Sequence, residues 1–211
     1  MRLYIKGDYT KEIPFDYLEL AKRMWFENYQ GEGIPLSYSG FLQIRDRNDI
    51  AIHLKLDKQD YDERWLHIPI QEGIKYRFFS QIDEELNLDY EDAYVTDFRE
   101  NGDCLRLAST HLELLTIDKR AFYIMAIEIA TIFNGQISED DKKTWLTIEE
   151  FKEKHQDILS LTFDEANEMS LEEIQTIDAI DDPIWEELDR KREEYIRIHG
   201  EVELDDDEED E

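Results

Sequence analysis

The sequence predicts an α+β fold: a mostly antiparallel sheet packed by a buried central helix, with a helical C-terminal portion. Three observations carry this expectation. Residues Ala121 to Phe133, AFYIMAIEIATIF, are apolar almost all round, and Glu128 is the one formal charge among them. A helix without a solvent face belongs in a core. From residue 40 the apolar period falls to 2, with polar turns between the runs, so hairpins rather than β-α-β crossovers dominate. From about residue 147 the helical period returns, opened by repeated capping motifs.

In chain order, Arg2 to Lys6 reads as a short strand ended by Gly7-Asp8. Phe15 to Asn28 reads as a helix, with Phe15, Leu18, Ala21, Trp25 and Phe26 on one side and Asp16, Glu19, Lys22 and Arg23 on the other. Gly31, Gly33 and Pro35 break it. Phe41 to Arg45 and Ile50 to Leu56 make a hairpin around Asp46 to Asp49. Leu66, Ile68 and Ile70 form a third alternating set, with Pro69 favouring an edge or a strand end. Glu72-Gly73 leads into Ile74, Tyr76 and Phe78, and the polar segment Gln81 to Asp92 holds at most one helical turn. Tyr94 to Phe98 and Cys104 to Leu107 flank Asn101-Gly102, a strong hairpin signal. His111 to Ile117 is either a further strand or the lead-in to the central helix. That helix has Asp118 as its candidate N-cap and Asn134-Gly135 as its stop.

Gln136 to Ser138 and Thr144 to Leu146 are short extended pieces. Thr147…Glu150, Thr162…Glu165 and Ser170…Glu173 each have capping-box spacing and predict three helix starts. A fourth helix is expected from Asp182-Pro183 to Gly200, with proline at its first position. Residues 1–200 thus read as one α+β domain. Residues 201–211 are too acidic to pack and read as a disordered tail.

Composition narrows the functional classes. The chain has 211 residues, 41% of them hydrophobic, and a formal net charge of −30. The hydrophobic content is that of a folded protein. The charge is far beyond the magnitude of about 2–8 that keeps a small domain soluble. Such a field repels nucleic acid and anionic lipid and attracts basic proteins. One cysteine, Cys104, allows no intrachain disulfide, and no run reaches membrane-spanning length, which together imply a cytoplasmic protein.

No catalytic or cofactor signature is present. His53, His67, His111, His155 and His199 lack ligand spacing to one another or to Cys104. Acid pairs such as Asp140-Asp141, Glu149-Glu150, Asp164-Glu165 and Asp181-Asp182 have no calcium-loop pattern around them. Several sit in first helical turns, where they complement the helix dipole. Glu150 and Lys152 have the spacing of some metal-dependent nucleases but lie on an ordinary amphipathic helix. Lys75 and Arg77 are too few to hold nucleic acid in this field. Trp25, Trp65, Trp145 and Trp185 each have a core explanation, and one or two alternatively anchor a partner. Glu128 is either a buried, functional carboxylate or the occupant of a narrow wet stripe.

Ile124 to Ile137, IMAIEIATIFNGQI, followed by Lys143 to Phe151, KTWLTIEEF, resembles a pattern in small acidic bacterial proteins. Several of these are suspected immunity proteins of toxin systems. The resemblance covers about thirty residues and implies no catalytic residue and no cofactor. What it implies is a non-enzymatic binding protein, an immunity or antitoxin-like inhibitor that captures a basic protein partner. The acids of the C-terminal helices, Glu165, Glu168, Glu172, Asp178, Asp181, Asp182 and Glu186, are the expected contact residues. Two alternatives stand beside this: a phage-type nucleic-acid mimic blocking a DNA-binding enzyme, and a metal-assisted hydrolase using Glu128 with nearby acids.

Overall fold

The central helix, α3, runs from Thr116 to Ile132 and buries Ala121, Phe122, Met125, Ala126, Ile129 and Ala130 completely. Each large side chain so buried is worth about 1.5–3 kcal/mol over its exposed state. The computed structural model describes residues 1–10, 16–26, 35–41, 51–68, 82, 84–91, 104–111, 113–176 and 197. By internal contacts the chain divides into two units, Met1–Thr176 and Ile177–Glu211, a division that falls inside the span 1–200. The architecture below is that of the first unit.

Six strands form one antiparallel sheet: β1 (Arg2–Lys6), β2 (Leu36–Phe41), β3 (Ala51–Leu56), β4 (Leu86–Glu91), β5 (Cys104–Ser109) and β6 (Gln136–Ser138). Their spatial order is β2-β3-β4-β5-β1-β6. Period-2 alternation decides which residues meet. Leu3 sits opposite Leu107, Leu107 opposite Leu88, and Leu88 opposite Ile52, a row of aliphatic side chains across four strands. Ile137, Ile5 and Leu105 make a parallel row. All of these are buried, and α3 packs against β1, β5 and β6 on this side. Most alternate positions are polar, with Arg106 paired to Asp89 at 3.3 Å.

Helix α1 (Tyr17–Trp25) lies beside α3, as its apolar stripe predicts. Asp16 caps it by accepting the Glu19 N–H at 2.9 Å. Its far end is held by Arg120 of α3, whose buried guanidinium donates to Met24 O at 2.9 Å and to Leu161 O at 2.7 Å. A cation is well placed there, since the last carbonyls of a helix lack intrahelical partners. After β3 come a short helix, α2 (Lys58–Tyr61), and a 3-10 turn, Glu63–His67. The C-terminal part holds α4 (Ile148–Lys154), α5 (Gln156–Leu159) and α6 (Phe163–Thr176).

The antiparallel sheet, the buried central helix and the helical C-terminal part thus stand as read from sequence. Five details differ. The strand that pairs with β3 is Leu36–Phe41, ahead of the expected Phe41 to Arg45, of which residues 42–45 lie outside the described ones. Leu66 and Ile68 are not in a strand. The Asp62 carboxylate accepts the Arg64 N–H, and this winds the chain into the 3-10 turn with Trp65 inward and Leu66 58% exposed. The polar segment after Gln81 contains β4, because Leu86 and Leu88 suffice to fill one face while Asn87 and Asp89 occupy the other. Asp118 is not the N-cap of α3 but lies in its first turn, 1% exposed. Ser170 and Glu173 start no helix: both lie within α6. The turn at Asp46 to Asp49, the extended runs at Ile74 to Phe78 and Tyr94 to Phe98, the hairpin turn at Asn101-Gly102, the helix from Asp182 and the tail 201–211 lie outside the described residues.

The predicted stop of α3 has Schellman geometry. Asn134 takes φ 47, the Asn134 N–H donates to Thr131 O at 3.3 Å, and the Gly135 N–H donates to Ala130 O at 2.7 Å. Gly135 also passes so close to β1 that a Cβ there would stand 2.3 Å from Lys6 O. The turn therefore feeds β6 directly onto β1. At the sheet's end β6 is bridged on its other side by Leu146, with N–H to O distances of 3.0 and 2.8 Å.

Candidate functional site

Helix α6 carries Asp164, Glu165, Glu168, Glu172 and Glu173 and no basic residue. Its apolar positions, Ala166, Leu171 and Ile174, turn inward with the polar Asn167 and Ser170, while Asp164, Glu165, Glu168 and Glu172 are exposed. Glu165, Glu168 and Glu172 fall at i, i+3 and i+7, one face of a helix. Three of the expected partner-binding residues are therefore brought together. Asp178, Asp181, Asp182 and Glu186 lie outside the described residues.

The three glutamates differ in environment. Glu165 closes a capping box: its carboxylate accepts the Thr162 N–H at 2.8 Å, and its own N–H donates to Thr162 Oγ1 at 3.2 Å. The Thr162 N–H first, and then the Thr162 hydroxyl, which donates to the same carboxylate oxygen at 2.9 Å, hold the Glu165 carboxyl below the usual range. Glu168 faces Arg64 across two guanidinium bonds, Nη1 to Oε2 at 3.0 Å and Nη2 to Oε1 at 2.5 Å. The same guanidinium donates to Asp62 at 2.6 and 3.0 Å. The Arg64 side chain bonds, with the Asn167 amide 2.8 Å from Oδ2, pull the Asp62 carboxyl down to about 2. Asn167 in turn accepts the buried Trp65 indole N–H at 2.9 Å. Glu172 is exposed and has no such clamp on its carboxylate among the described bonds.

Two shallow grooves flank this Arg64–Glu168 bridge. One, of about 390 Å³, is lined by Tyr61, Asp62, Arg64, Asp164, Asn167 and Glu168. The other, of about 360 Å³, adds His67, Ile68, Leu171, Glu172 and Gln175. The signal for the bridge was present in the sequence, as Asp62 two residues before Arg64 at a turn, but its partner on α6 lies 104 residues away. Leu66 and Met169, exposed by 58% and 41%, are sequence neighbours of this network.

Glu128 occupies the wet edge of α3, 28% exposed, and pairs with Arg23 of α1. It lines a groove of about 530 Å³ with Ile124, Ile127, Lys152 and Leu159. Cys104 is fully buried in β5. The histidines are apart: His53 is 3.8 Å from Glu85, His111 2.5 Å from Glu84, and His155 2.7 Å from Glu139. Among the described residues no group of three His, Cys, Asp or Glu is arranged to hold a metal ion. No described helix is long and apolar enough to cross a membrane. Of the tryptophans, Trp25 and Trp65 are core, and Trp145 lies under the Lys6 ammonium, 4.3 Å from its ring centre.

One charged cluster escaped the sequence reading. The Lys58 ammonium, fully buried, donates to Ile82 O at 2.9 Å and stands 2.9 Å from Asp118 Oδ2. The second contact is an ion pair without hydrogen-bond alignment, and among the described residues Asp118 accepts no aligned hydrogen bond at either oxygen. Burial raises the Asp118 carboxyl to about 6 against the opposing pull of Lys58, and Glu84 adds to the rise. Glu84, 2% exposed, accepts the Thr110 N–H at 2.6 Å and touches the His111 ring. Lysine at position 58 follows a strand and resembles any surface cation in sequence. Only the fold places it under α3.

Comparison with protein-family models, with characterised proteins and with solved structures returned no match.

Proposed function

We propose that this protein is a non-enzymatic acidic binding protein that captures a basic protein partner, in the manner of an immunity or antitoxin-like inhibitor in the cytoplasm. The observation that carries the reading is the outer face of α6. Asp164, Glu165, Glu168 and Glu172 are exposed on one helix without a cation of its own, in a chain of net charge −30. Such a field steers encounter and raises on-rate, while packed contacts supply the residence time. Arg64 neutralises part of this face at Glu168, leaving Glu165 and Glu172 as its flanking charges. Exposed Leu66 and Met169 would supply apolar contact beside them.

The test is a pull-down from the native host at low and high salt. The full chain, a form ending at Gly200 and a Glu165→Gln/Glu168→Gln/Glu172→Gln variant would serve as baits. The expected result is a basic protein held by the first two, released by salt, and bound at least tenfold more weakly by the variant. Retention of no basic protein at low salt would overturn the reading.

A further inference from the structure

The two edges of the sheet are treated differently. The β6 edge is closed by the chain itself through the Ile137–Leu146 bridge, with Asp140, Asp141, Lys142 and Lys143 in the intervening loop. The β2 edge, Leu-Ser-Tyr-Ser-Gly-Phe, pairs only with β3, and no described residue takes its outer side. Exposed edges are ordinarily protected by a charge, a proline or a bulge. Within β2 there is neither charge nor proline, and its pairing with β3 is unbroken over six residues.

The register fixes which backbone groups point outward. The Asp57 N–H donates to Pro35 O at 2.9 Å, so the hydrogen-bonded positions facing β3 continue at Ser37, Ser39 and Phe41. The N–H and C=O groups of Leu36, Tyr38 and Gly40 therefore face away from the sheet. Ser37, Tyr38 and Ser39 are exposed, Tyr38 by 53%. Tyr38 stacks on Tyr17 of α1, ring centres 3.7 Å apart, making a flat aromatic ledge beside the open edge.

We infer that the outer edge of β2 is a strand-addition site, and that its occupant is an extended, basic segment of a partner protein. The inference rests on the basic-partner reading above and names how one part of that partner is held. Charge decides the occupant. A second copy would bring net −30 against net −30, whereas a basic segment is drawn to the exposed Asp16 and Glu19 of α1 and to Asp57, bonded to Ser37 Oγ at 3.0 Å. Lys55, opposite Ser37, is itself 3.8 Å from Asp57. Main-chain bonds would give affinity, and the Tyr17–Tyr38 ledge would accept alternate side chains.

The test uses a ten-residue peptide of alternating lysine and valine, and the same peptide N-methylated at alternate residues so that one edge cannot donate. Binding is read by fluorescence anisotropy at low and high salt, and hydrogen exchange is followed at the amides of Leu36, Tyr38 and Gly40. The expected result is salt-sensitive binding, slowed exchange at those amides, and at least tenfold weaker binding of the methylated peptide. Tyr38→Pro, which removes an outward N–H without touching the β2–β3 ladder, should weaken binding similarly; Tyr38→Val, which keeps the N–H and loses only the ring, should weaken it less, and Tyr38→Phe should not weaken it. Equal binding of both peptides with unchanged exchange would overturn strand addition and leave the basic-partner reading standing. Binding of neither at low salt would overturn both. A peptide-free dimer abolished by Tyr38→Pro would overturn the choice of occupant.

Discussion

The Glu173 carboxylate accepts the Thr116 N–H at 2.8 Å, so the first turn of the central helix is capped by a residue of another helix. Ser170, one turn earlier on α6, accepts the next donor, the Ile117 N–H, also at 2.8 Å. Leu115, at the N-cap position, offers no side-chain acceptor. Two of the four orphan amides of α3 are thereby satisfied from outside. Glu173→Ala and Ser170→Ala should each cost about 1–2 kcal/mol, as for the loss of a good cap. Urea denaturation of the single and double variants checks this. Their effects should fall short of additive, because both act on one helix end.

Lys58 and Asp118 set a second prediction. Removing the carboxylate alone, in Asp118→Leu, strands a buried ammonium and should cost about 3–5 kcal/mol. Lys58→Met should cost less, since the buried carboxyl can take up a proton instead. The double variant Lys58→Met/Asp118→Leu should recover most of the loss, because a well-packed apolar pair avoids both desolvation penalties. A double-mutant cycle by chemical denaturation measures the coupling.

Stability should peak in mildly acidic solution. The Asp118 carboxyl lies at about 6 in the fold against 3.8 as its ordinary value, so the folded state holds the extra proton between these limits. Its contribution is complete below about pH 4 and is lost as pH rises through 6. Glu150, Glu165 and Glu168 shift the other way, below 4.5, and Asp62 and Asp140 fall to about 2. Their contributions are present at neutral pH and are lost as pH falls through those lowered values. The opposing trends place the maximum at roughly pH 4–4.5. Denaturation midpoints from pH 3 to 8 check it, and Asp118→Asn should remove the decline between pH 4 and 6.

Gly135→Ala should be costly and Asn134→Gly harmless. A methyl at position 135 meets Lys6 O at 2.3 Å, and relieving it separates β6 from β1, for about 1–3 kcal/mol of overpacking. Asn134, at φ 47, already occupies a conformation that glycine adopts freely, so its replacement should change stability by only a few tenths of a kcal/mol. Thermal melts of both variants distinguish the two effects.

What the sequence revealed and what it hid have a common cause. The central helix, β1, β3 and β5 were legible because each buries a face through its own local period. The Schellman stop and the boxes at Thr147 and Thr162 were legible because every participating residue lies within a turn of the others. Ser170 and Glu173 carried the same spacing but spend their oxygens on Thr116 and Ile117, more than fifty residues away. The 3-10 turn at Trp65 imitated a strand, since apolar Leu66 and Ile68 alternate with polar His67, but the turn sends Trp65 and Ile68 inward and Leu66 outward. On α6, the exposed acids were legible from helical spacing, while the bridge from Glu168 to Arg64 and the buried Lys58 depend on which segments the sheet brings together.

The sheet order has a kinetic consequence. β1, first of the six in chain order, lies between β5 and β6, so its pairs Leu3–Leu107 and Ile5–Ile137 close loops of more than a hundred residues. Such closures are slow compared with hairpin or helix formation, which take about a microsecond to ten microseconds. The β2-β3-β4-β5 sheet can assemble earlier from nearer neighbours, with a row of aliphatic side chains at Leu105 and Leu107 left uncovered until β1 docks. A nascent or refolding chain would therefore pass through a stage in which four strands are joined and β1 and β6 are still undocked, with apolar surface open to a chaperone.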